Sequence, residues 1–262
     1  MIGGTAVTST DVVDLWVIRA DQPPPVVRRL RGLLDPGELL RADAASDELR
    51  RDRFTVVHGA VRLLAGDRLG IAADLLRWRH GPHGKPEPAG PGGGLQLSYS
   101  ASGALAVLAF AEGRRIGADV EERADARTAT RIAGRFFPGV DARFVASATT
   151  DDIRARRFTR LWCRREACVK VFGGRLAQGL GLPLAGPTPL VLADPGSLGS
   201  GPCRVVDVPL PLSLPGPPPG RFHAAVAVEG ERPYLVRCRV WSPGADPTSD
   251  HRSPQPRTEQ LP

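Results

Sequence analysis

The sequence predicts a mixed α/β fold. Short runs rich in β-branched residues alternate with longer segments that have the apolar spacing of helices. This order of strand, helices and strands occurs twice, about one hundred residues apart, which is a weak indication of an internal duplication. With 262 residues, of which 42% are apolar, the chain is long enough to form one large domain or two small ones.

The first half is predicted from β-branched runs, helical periodicity and turn residues. A β-branched run at 12–19 indicates a strand, and the prolines at 23–25 end it. Apolar residues then recur every three or four positions, which is typical of helices. The predicted elements are a strand at 12–19, a helical region at 38–66, a Gly/Pro-rich loop at 81–94 and strands at 95–98, 105–111 and 115–121.

The second half repeats this pattern with a longer helix. A helical region begins near Arg127 and breaks at Pro138, and Gly173 and Gly174 are a plausible C-terminal stop for the next helix. From Pro243 the sequence is polar and proline-rich without a period, so we expect a disordered tail. The other predicted elements are a helix at about 152–172, extended segments near Leu190, Val205, 224–228 and 234–241, and a loop at 215–220.

Composition limits the classes of partner and compartment. The formal charge of +7 favours anionic partners, although arginine richness by itself is also a compositional trait. No nucleic-acid-binding motif is present, so no nucleic-acid partner is expected. The four cysteines lack CxxC spacing and fit free thiols in a reducing cytoplasm. No apolar run is long enough for a membrane span, and the first ten residues do not have the order of a signal peptide.

Two lysines stand out among 35 basic residues. Lys85 lies in the Gly/Pro-rich loop, and Lys170 lies near the end of the long predicted helix. A chain that has replaced almost every surface lysine by arginine keeps one where a compact ammonium on a flexible stem is needed, as at a phosphate. Chance survival is the alternative interpretation.

A pair of carboxylates lies on one predicted strand. Alternation along 115–121 puts Gly117, Asp119 and Glu121 on one face. Two carboxylates at this spacing can bind one Mg²⁺ ion, which prefers oxygen ligands and completes its shell with water and phosphates. We interpret Gly117 as a position where a ligand approaches the backbone. A solvated acidic face of a half-buried strand is the alternative.

The long predicted helix carries a third carboxylate. Trp162, Glu166 and Lys170 are spaced by four and share one helix face. Glu166 is a candidate metal ligand or base, and Lys170 is a candidate partner for an anionic phosphate. An exposed ion pair between Glu166 and Lys170 is the alternative, but the neighbouring tryptophan argues against full exposure.

These two motifs, IGADVE at 116–121 and WCRREA with Lys170 at 162–170, resemble the paired signatures of the 4′-phosphopantetheinyl transferase superfamily, in its larger, surfactin-synthetase-activating type. The resemblance extends over roughly residues 12–241. Its further marks are Arg53 with Arg62, the Gly84-Lys85-Pro86 turn, Arg135-Phe136-Phe137, an acidic position at Asp141 and the segment 179–184.

The resemblance implies two α/β halves related by a pseudo-two-fold axis, with coenzyme A and Mg²⁺ in the cleft between them. The implied division is residues 1–113, which contact the nucleotide, residues 114–242, which carry the metal and catalytic residues, and a tail at 243–262. A cleft within one chain implies a monomer.

The implied reaction transfers 4′-phosphopantetheine from coenzyme A to a serine of an apo acyl or peptidyl carrier protein, an acidic partner, and releases 3′,5′-ADP. Glu166 and Lys170 are the implied catalytic residues. The implied metal ligands are Asp119, Glu121 and Glu166, and the implied coenzyme A contacts are Arg53, Lys85, Pro86, Ser98, Tyr99 and Lys170.

The sequence departs from the family pattern at three places. The usual serine-histidine-serine segment reads Ser98-Tyr99-Ser100, so a tyrosine stands where a histidine would contact the 3′-phosphate of coenzyme A. Arg165 replaces a lysine, and the N-terminal lysines that flank the 3′-phosphate have no clear match, with Arg41 the nearest candidate. Tyr99 motivates the alternative of a catalytically silent module that binds a carrier protein or nucleotide.

Overall fold

The computed structural model describes residues 11–89, 94–211 and 220–244. The fold is mixed α/β, as the sequence predicts. Its strands are β1 (Asp11–Arg19), β2 (Trp78–His80), β3 (Pro86–Pro88), β4 (Leu95–Ser102), β5 (Leu105–Glu112), β6 (Ile116–Glu122), β7 (Leu190–Leu192), β8 (Cys203–Val208), β9 (Phe222–Glu229) and β10 (Tyr234–Val240). Its helices are α1 (Pro24–Arg31), α2 (Pro36–Asp43), α3 (Glu48–Leu69), α4 (Ala126–Phe136), α5 (Gly139–Ala146), α6 (Asp151–Phe172) and α7 (Leu176–Gly179).

Two four-stranded sheets form the centre of the protein. The first has the order β10-β1-β5-β4 and the second the order β6-β9-β8-β7. Alternate residues of both sheets, such as Leu15, Val107, Ala118 and Val226, form one buried cluster between them. Helices α1 and α3 pack on the outer face of the first sheet, and α4 and α6 pack on the outer face of the second. The strand alternation therefore buries one face against the other sheet and the opposite face against helices.

The two sheets meet where their edge strands β4 and β6 come together. The hydroxyl oxygen of Ser98 accepts a hydrogen bond from the Ala118 amide at 3.0 Å, and that of Ser102 accepts one from the Glu122 amide at 3.1 Å. An edge strand leaves a row of unpaired backbone N–H groups. Here serine side chains satisfy two of them, which fixes β6 beside β4.

The structure corrects three expectations for individual elements. The prolines at 23–25 end the strand but also begin α1, because proline is tolerated in the first turn of a helix. The Gly/Pro-rich segment at 81–94 contains β3, which pairs with β2, although residues 90–93 lie outside the described part. Strand β4 continues to Ser102, four residues beyond the end predicted at residue 98.

The last strand returns to the first sheet. β10 runs parallel to β1, with Asp11 opposite Tyr234 and Val17 opposite Val240. Residues 234–240 therefore cross back over the boundary predicted between residues 113 and 114. The segments predicted as a loop at 215–220 and as a disordered tail from Pro243 lie largely outside the described residues, which omit 212–219 and everything after 244. Within the described ranges no helix has the length and apolarity of a membrane span.

Candidate active site

Helix α6 crosses strand β6 in direct contact at Gly117. A Cβ atom at this position would lie 1.9 Å from the carbonyl oxygen of Ala167 and 2.8 Å from the amide nitrogen of Val171. Any side chain at Gly117 would therefore push the helix away from the strand. The expectation that a ligand approaches the backbone here is wrong, because the helix fills that space. The glycine instead brings the carboxylates of β6 close to those of α6.

Asp119 is the most buried carboxylate of the site, with 1% of its surface exposed. Its Oδ1 accepts hydrogen bonds from the Ser100 hydroxyl and from the Lys170 ammonium, both at 2.7 Å. Its Oδ2 is buried and has no hydrogen-bond partner among the described residues. A buried carboxylate oxygen without a donor is costly. This oxygen is therefore available to a ligand from outside the chain.

The pKa values of Glu121 and Glu166 are both raised. Burial raises the pKa of Glu121, and the Asp119 charge raises it further, while the Ser102 hydroxyl and Lys170 oppose the increase. Burial also raises the pKa of Glu166, where Asp119 and Glu121 again add to the shift and Lys170 opposes it. Each of these two carboxylates is thus less readily ionised in the presence of the other charged carboxylates. One ammonium does not compensate all three.

Serine side chains support the two carboxylates of β6. The Ser100 hydroxyl donates to Asp119, and the Ser102 hydroxyl donates to Oε2 of Glu121 at 2.7 Å. Sequence reasoning did not assign a role to Ser102. The signal was nevertheless present, because Ser98, Ser100 and Ser102 occupy every second position of one strand and so share one face.

Lys170 joins α6 to β6. Its Nζ donates to the Ala118 carbonyl at 3.2 Å as well as to Asp119, and 26% of the side chain remains exposed. It lies one turn after Glu166 on the same helix. The alternative of an exposed Glu166–Lys170 pair does not hold, because Lys170 pairs with Asp119 of the neighbouring strand.

Most of the predicted coenzyme A contacts line one cleft. The cleft has a volume of about 310 Å³ and lies between the β2–β3 hairpin, β4 and the C-terminal part of α6. Its lining includes the predicted contacts Lys85, Pro86, Ser98, Tyr99 and Lys170, the predicted base Glu166, and also His83, Gly84, Val169, Gly173, Gly174 and Leu176.

Lys85 anchors the hairpin to the rest of the site. Its ammonium donates to the Ile116 carbonyl at 2.7 Å and to the Lys170 carbonyl at 2.9 Å. Burial lowers the pKa of Lys85 to about 8, and the nearby cations Arg115 and Lys170 add to this decrease. Lys85 thus fixes the wall of the cleft through backbone carbonyls, whereas Lys170 binds the carboxylate of Asp119.

Arg53 lies apart from the other predicted site residues. Its guanidinium makes two hydrogen bonds to Asp21, at 2.6 and 3.1 Å, and this pairing raises the pKa of Arg53. It lines a different surface depression, which includes Arg19 and Leu49. The structure does not bring Arg53 into the cleft with Lys85.

Tyr99 is in contact with a histidine from α3. The ring centroids of Tyr99 and His58 lie 5.5 Å apart at a near-perpendicular angle, and Phe54 stacks on His58 with ring centroids 3.9 Å apart. The buried Glu38 lies 3.3 Å from Nδ1 of His58. Sequence reasoning missed His58, because a lone histidine on an apolar helix carries no motif. Arg41 lies over Phe54 at 5.7 Å, next to this stack.

A buried ion pair next to Glu166 fixes helix α6 to its neighbours. Arg165 and Asp141 are both fully buried and bonded to each other, and the Asp141 carboxylate also accepts hydrogen bonds from the amides of Leu184 and Ala185. Arg165 further donates to the Leu182 carbonyl at 2.8 Å. Removing one partner of such a pair would leave an uncompensated buried charge. Arg165 and Asp141 therefore hold the segment after α6 against that helix.

Comparison with known proteins identifies the family. Residues 115–190, which include Asp119, Glu121, Glu166 and Lys170, match the family model of the 4′-phosphopantetheinyl transferase superfamily. The 4′-phosphopantetheinyl transferase HetI of Nostoc sp. (strain PCC 7120) is 30% identical over 171 residues, which is 64% of this chain and 72% of that protein. The chain belongs to the 4′-phosphopantetheinyl transferase superfamily.

A second relative of this transferase is the slr0495 protein of Synechocystis sp. (strain PCC 6803), which bears the same enzyme name provisionally. It is 24% identical over 167 residues, or 63% of this chain and 67% of that protein. The resemblance found in the sequence is thus confirmed at the level of the superfamily, and the larger subtype stays a prediction. The family is one of enzymes that transfer phosphopantetheine from coenzyme A to carrier proteins. The comparisons do not favour the silent binding module.

Proposed function

We propose that this transferase uses Mg²⁺ and coenzyme A to modify a serine of an apo acyl or peptidyl carrier protein, with release of 3′,5′-ADP. One observation carries the proposal. The carboxylates Asp119, Glu121 and Glu166 influence one another's charge beside the Lys170 ammonium, and Glu166 and Lys170 line the cleft.

The donor set suits a hard cation. All three carboxylates offer oxygen ligands, the Oδ2 of Asp119 has no partner among the described residues, and burial, with repulsion from the neighbouring carboxylates, raises the pKa of Glu121 and Glu166. The described residues contain no preformed cluster of three or more His, Cys, Asp or Glu side chains close enough to hold a metal ion. Asp119, Glu121 and Glu166 would hold Mg²⁺ together with phosphate oxygens of the substrate, so the set is completed by coenzyme A rather than by the chain alone. When bound, the ion would neutralise charge on the pyrophosphate.

Glu166 is the proposed base. A base is most effective when its pKa lies near the working pH, and burial raises the pKa of Glu166 in that direction. It takes the proton of the carrier serine as the serine oxygen bonds to the phosphorus that bears pantetheine. The bond from that phosphorus to the bridging oxygen breaks, and 3′,5′-ADP leaves with the electron pair.

Lys170 is the proposed electrostatic partner of the leaving group. Its ammonium is held by Asp119 and the Ala118 carbonyl, so it is oriented before the substrate arrives. A donor fixed in this way stabilises charge that develops on the pyrophosphate without having to reorganise. Lys85 and Pro86 keep the opposite wall of the cleft in place for the nucleotide.

The experiment is a mass measurement on the carrier. The protein is incubated with coenzyme A, MgCl₂ and a purified apo acyl carrier protein or apo peptidyl carrier protein. We expect the carrier to gain the mass of one phosphopantetheine, and not to gain it when EDTA replaces MgCl₂. A Ser→Ala carrier is the matched control. Unchanged mass with several carriers would refute the proposed function.

A further inference from the structure

Lys85 links three elements of the protein through one ammonium group. It lies in the β2–β3 hairpin, directly before β3. Its Nζ donates to the carbonyl of Ile116, the first residue of β6, at 2.7 Å and to the carbonyl of Lys170, two residues before the end of α6, at 2.9 Å. This strand and this helix carry all three proposed metal ligands. The hairpin is therefore bonded to both elements on which the candidate active site depends.

The backbone of Lys85 is fixed within the hairpin. Its carbonyl accepts a hydrogen bond from the Gly81 amide at 2.9 Å, and the Gly81 carbonyl accepts one from the Gly84 amide, also at 2.9 Å. The residues of this turn from His83 to Pro86 line the cleft. A shift of the cleft wall therefore moves the base of the Lys85 side chain together with its two bonds.

The C-terminal end of α6 is a suitable place for a cation. The last carbonyls of a helix lack the amides of a following turn, and they carry partial negative charge. The Lys170 carbonyl is one of them, and its hydrogen bond from the Gly173 amide is long, at 3.4 Å. Lys85 supplies a shorter bond and a positive charge at this carbonyl. The ammonium thus fixes the last turn of α6.

The two bonds of Lys85 lie on either side of the ion pair of the site. Lys85 holds the backbone of Lys170, while the side chain of Lys170 donates to Asp119 and to the Ala118 carbonyl. Ile116 lies two residues before Ala118 on the same strand. Lys85 therefore restrains the backbone near both partners of the Lys170–Asp119 pair.

The bonds of Lys85 are directed at the chain itself. The resemblance to the transferases implies that Lys85 contacts coenzyme A. An ammonium has three N–H donors, and the carbonyls of Ile116 and Lys170 accept hydrogen bonds from two of them. Two of the three donors thus maintain the arrangement of the hairpin, the strand and the helix.

We propose that Lys85 is a positioning residue for phosphopantetheine transfer: it joins the hairpin wall of the cleft to α6 and β6, and so holds Lys170 and Asp119 in the relative position that the reaction requires. This rests on the proposed function, which assigns the leaving group to Lys170. A positioning residue acts on the protein before coenzyme A binds, whereas a phosphate contact acts only afterwards. Loss of Lys85 therefore loosens the ligand-free protein and lowers kcat, in addition to weakening the binding of coenzyme A.

Lys85 changes its charge at mildly alkaline pH. Burial, assisted by the cations Arg115 and Lys170 and opposed by Glu87, lowers the pKa of Lys85 to about 8. Above this pH the side chain loses its positive charge and one of its three N–H donors. Both bonds to the carbonyls then weaken, because charge-assisted hydrogen bonds are the stronger ones. The restraint on α6 and β6 is complete below this pKa and declines above it.

The test compares variants of the full chain at two positions of the hairpin. Lys85→Met nearly keeps the length of the side chain but removes the charge and all donors, and Lys85→Arg keeps both at alkaline pH. Arg79→Met is the matched control, because Arg79 is an exposed cation on β2 whose ion pair with Glu87 is long, at 3.8 Å. The readouts are hydrogen exchange of backbone amides without coenzyme A, and kcat and the KM for coenzyme A with a purified apo acyl carrier protein.

We expect Lys85→Met to raise amide exchange in residues 78–88 and in residues 166–174 with no ligand present. Its kcat should fall about tenfold or more, since a small displacement of a catalytic group has an effect of this order. Arg79→Met should stay near the parent in exchange and in kcat. Parent-like exchange at the end of α6 in Lys85→Met would overturn the inference, even with weaker binding of coenzyme A, because Lys85 would then be a direct contact only.

The pH profile of kcat distinguishes positioning by an ammonium from simple support of the fold. In the parent, kcat should decline as the pH rises through about 8. The decline should move to higher pH in Lys85→Arg, because a guanidinium stays charged there, and should be absent in Lys85→Met, which has no group to titrate at this position. A decline at the same pH in all three proteins would refute the assignment to Lys85.

Hydrogen exchange separates this inference from the proposed function, since it needs neither a carrier nor coenzyme A. If the parent modifies the carrier and Lys85→Met leaves both exchange and kcat unchanged, only the positioning role is refuted. If the parent modifies no carrier and Lys85→Met still loosens both segments, the proposed function is refuted and the link between the hairpin and α6 stands.

Discussion

The Nζ atom of Lys170 lies 2.7 Å from Oδ1 of Asp119, while Oδ2 of the same carboxylate has no partner among the described residues. The chain thus supplies a cation to one oxygen of its most buried carboxylate and leaves the other oxygen for a ligand. The negative charge of Asp119 therefore has two roles: it binds the ammonium of Lys170, and it would bind the proposed metal ion.

We predict that Asp119→Asn lowers kcat at least about a hundredfold, because the amide has nearly the shape of the carboxylate but carries no negative charge. The rate of carrier modification is the measurement, and far-ultraviolet circular dichroism checks the fold. Asp67→Asn is the control, since Asp67 is an exposed carboxylate at the end of α3. A variant at position 119 that works as fast as the parent would remove this residue from the site.

We predict that Gly117→Ala destabilises the protein by about 1 to 3 kcal/mol, because its Cβ would overlap the Ala167 carbonyl and force α6 away from β6. Urea unfolding gives the change in free energy. Activity should fall together with stability, since Asp119 and Glu166 lie on the two elements that separate. Gly134→Ala is the control for stability only and should raise the unfolding midpoint. Equal effects of the two alanines would contradict the close crossing of α6 and β6.

We predict that Tyr99→His tightens the binding of coenzyme A. Burial raises the pKa of Tyr99 to about 12, so its phenol is neutral and offers one hydrogen bond to an anion. An imidazolium offers a charge-assisted bond, and a gain of about 1 kcal/mol corresponds to a Kd about fivefold lower. Isothermal titration of coenzyme A measures it, with Tyr99→Phe as the matched variant. A Kd that is unchanged or higher in Tyr99→His would show that this side chain does not face the 3′-phosphate.

We predict that ionised Glu38 stabilises the protein above pH 4.5 and that this stabilisation is lost as the pH falls toward 2. Burial alone would raise the pKa of Glu38, but hydrogen bonds from His58 and Arg62 lower it from 4.5 to about 2. A carboxyl group whose pKa is lower in the folded state takes up its proton more readily when unfolded, so acid favours unfolding between the two pKa values. The shift corresponds to about 3 kcal/mol.

The measurement is the unfolding free energy of the parent protein and of Glu38→Gln between pH 2 and 7. The difference between them should be constant above about pH 5 and shrink below it. A difference that does not depend on pH would show that the charge of Glu38 contributes nothing.

The sequence predicts the strands and the long helix well because local signals determine them. Alternation identifies β6 and the face of Asp119 and Glu121, and the terminating glycine locates the end of α6, where Gly173 adopts the left-handed conformation at φ 64°. These features depend on neighbours in the chain. Spacing therefore places Glu166 and Lys170 on one helix face without any knowledge of the tertiary fold.

Contacts between distant segments are not predictable in this way. The sequence does not reveal that Lys170 bonds to Asp119, that Lys85 holds two backbone carbonyls or that His58 packs on Tyr99. It also gives Arg53 no partner, whereas the structure pairs it with Asp21. The sequence predicts that a ligand approaches Gly117, whereas helix α6 does so, because the pattern of one strand does not show which element packs on it.

The parallel pairing of β1 with β10 has a consequence for biosynthesis. Strand β1 is translated before its neighbour β10, with every other described strand between them, and until β10 arrives one edge of β1 stays open. A polypeptide that stops before residue 234 leaves the first sheet with an unprotected border, and such a border invites pairing with other chains. The first sheet thus closes only after every other described strand has been synthesised.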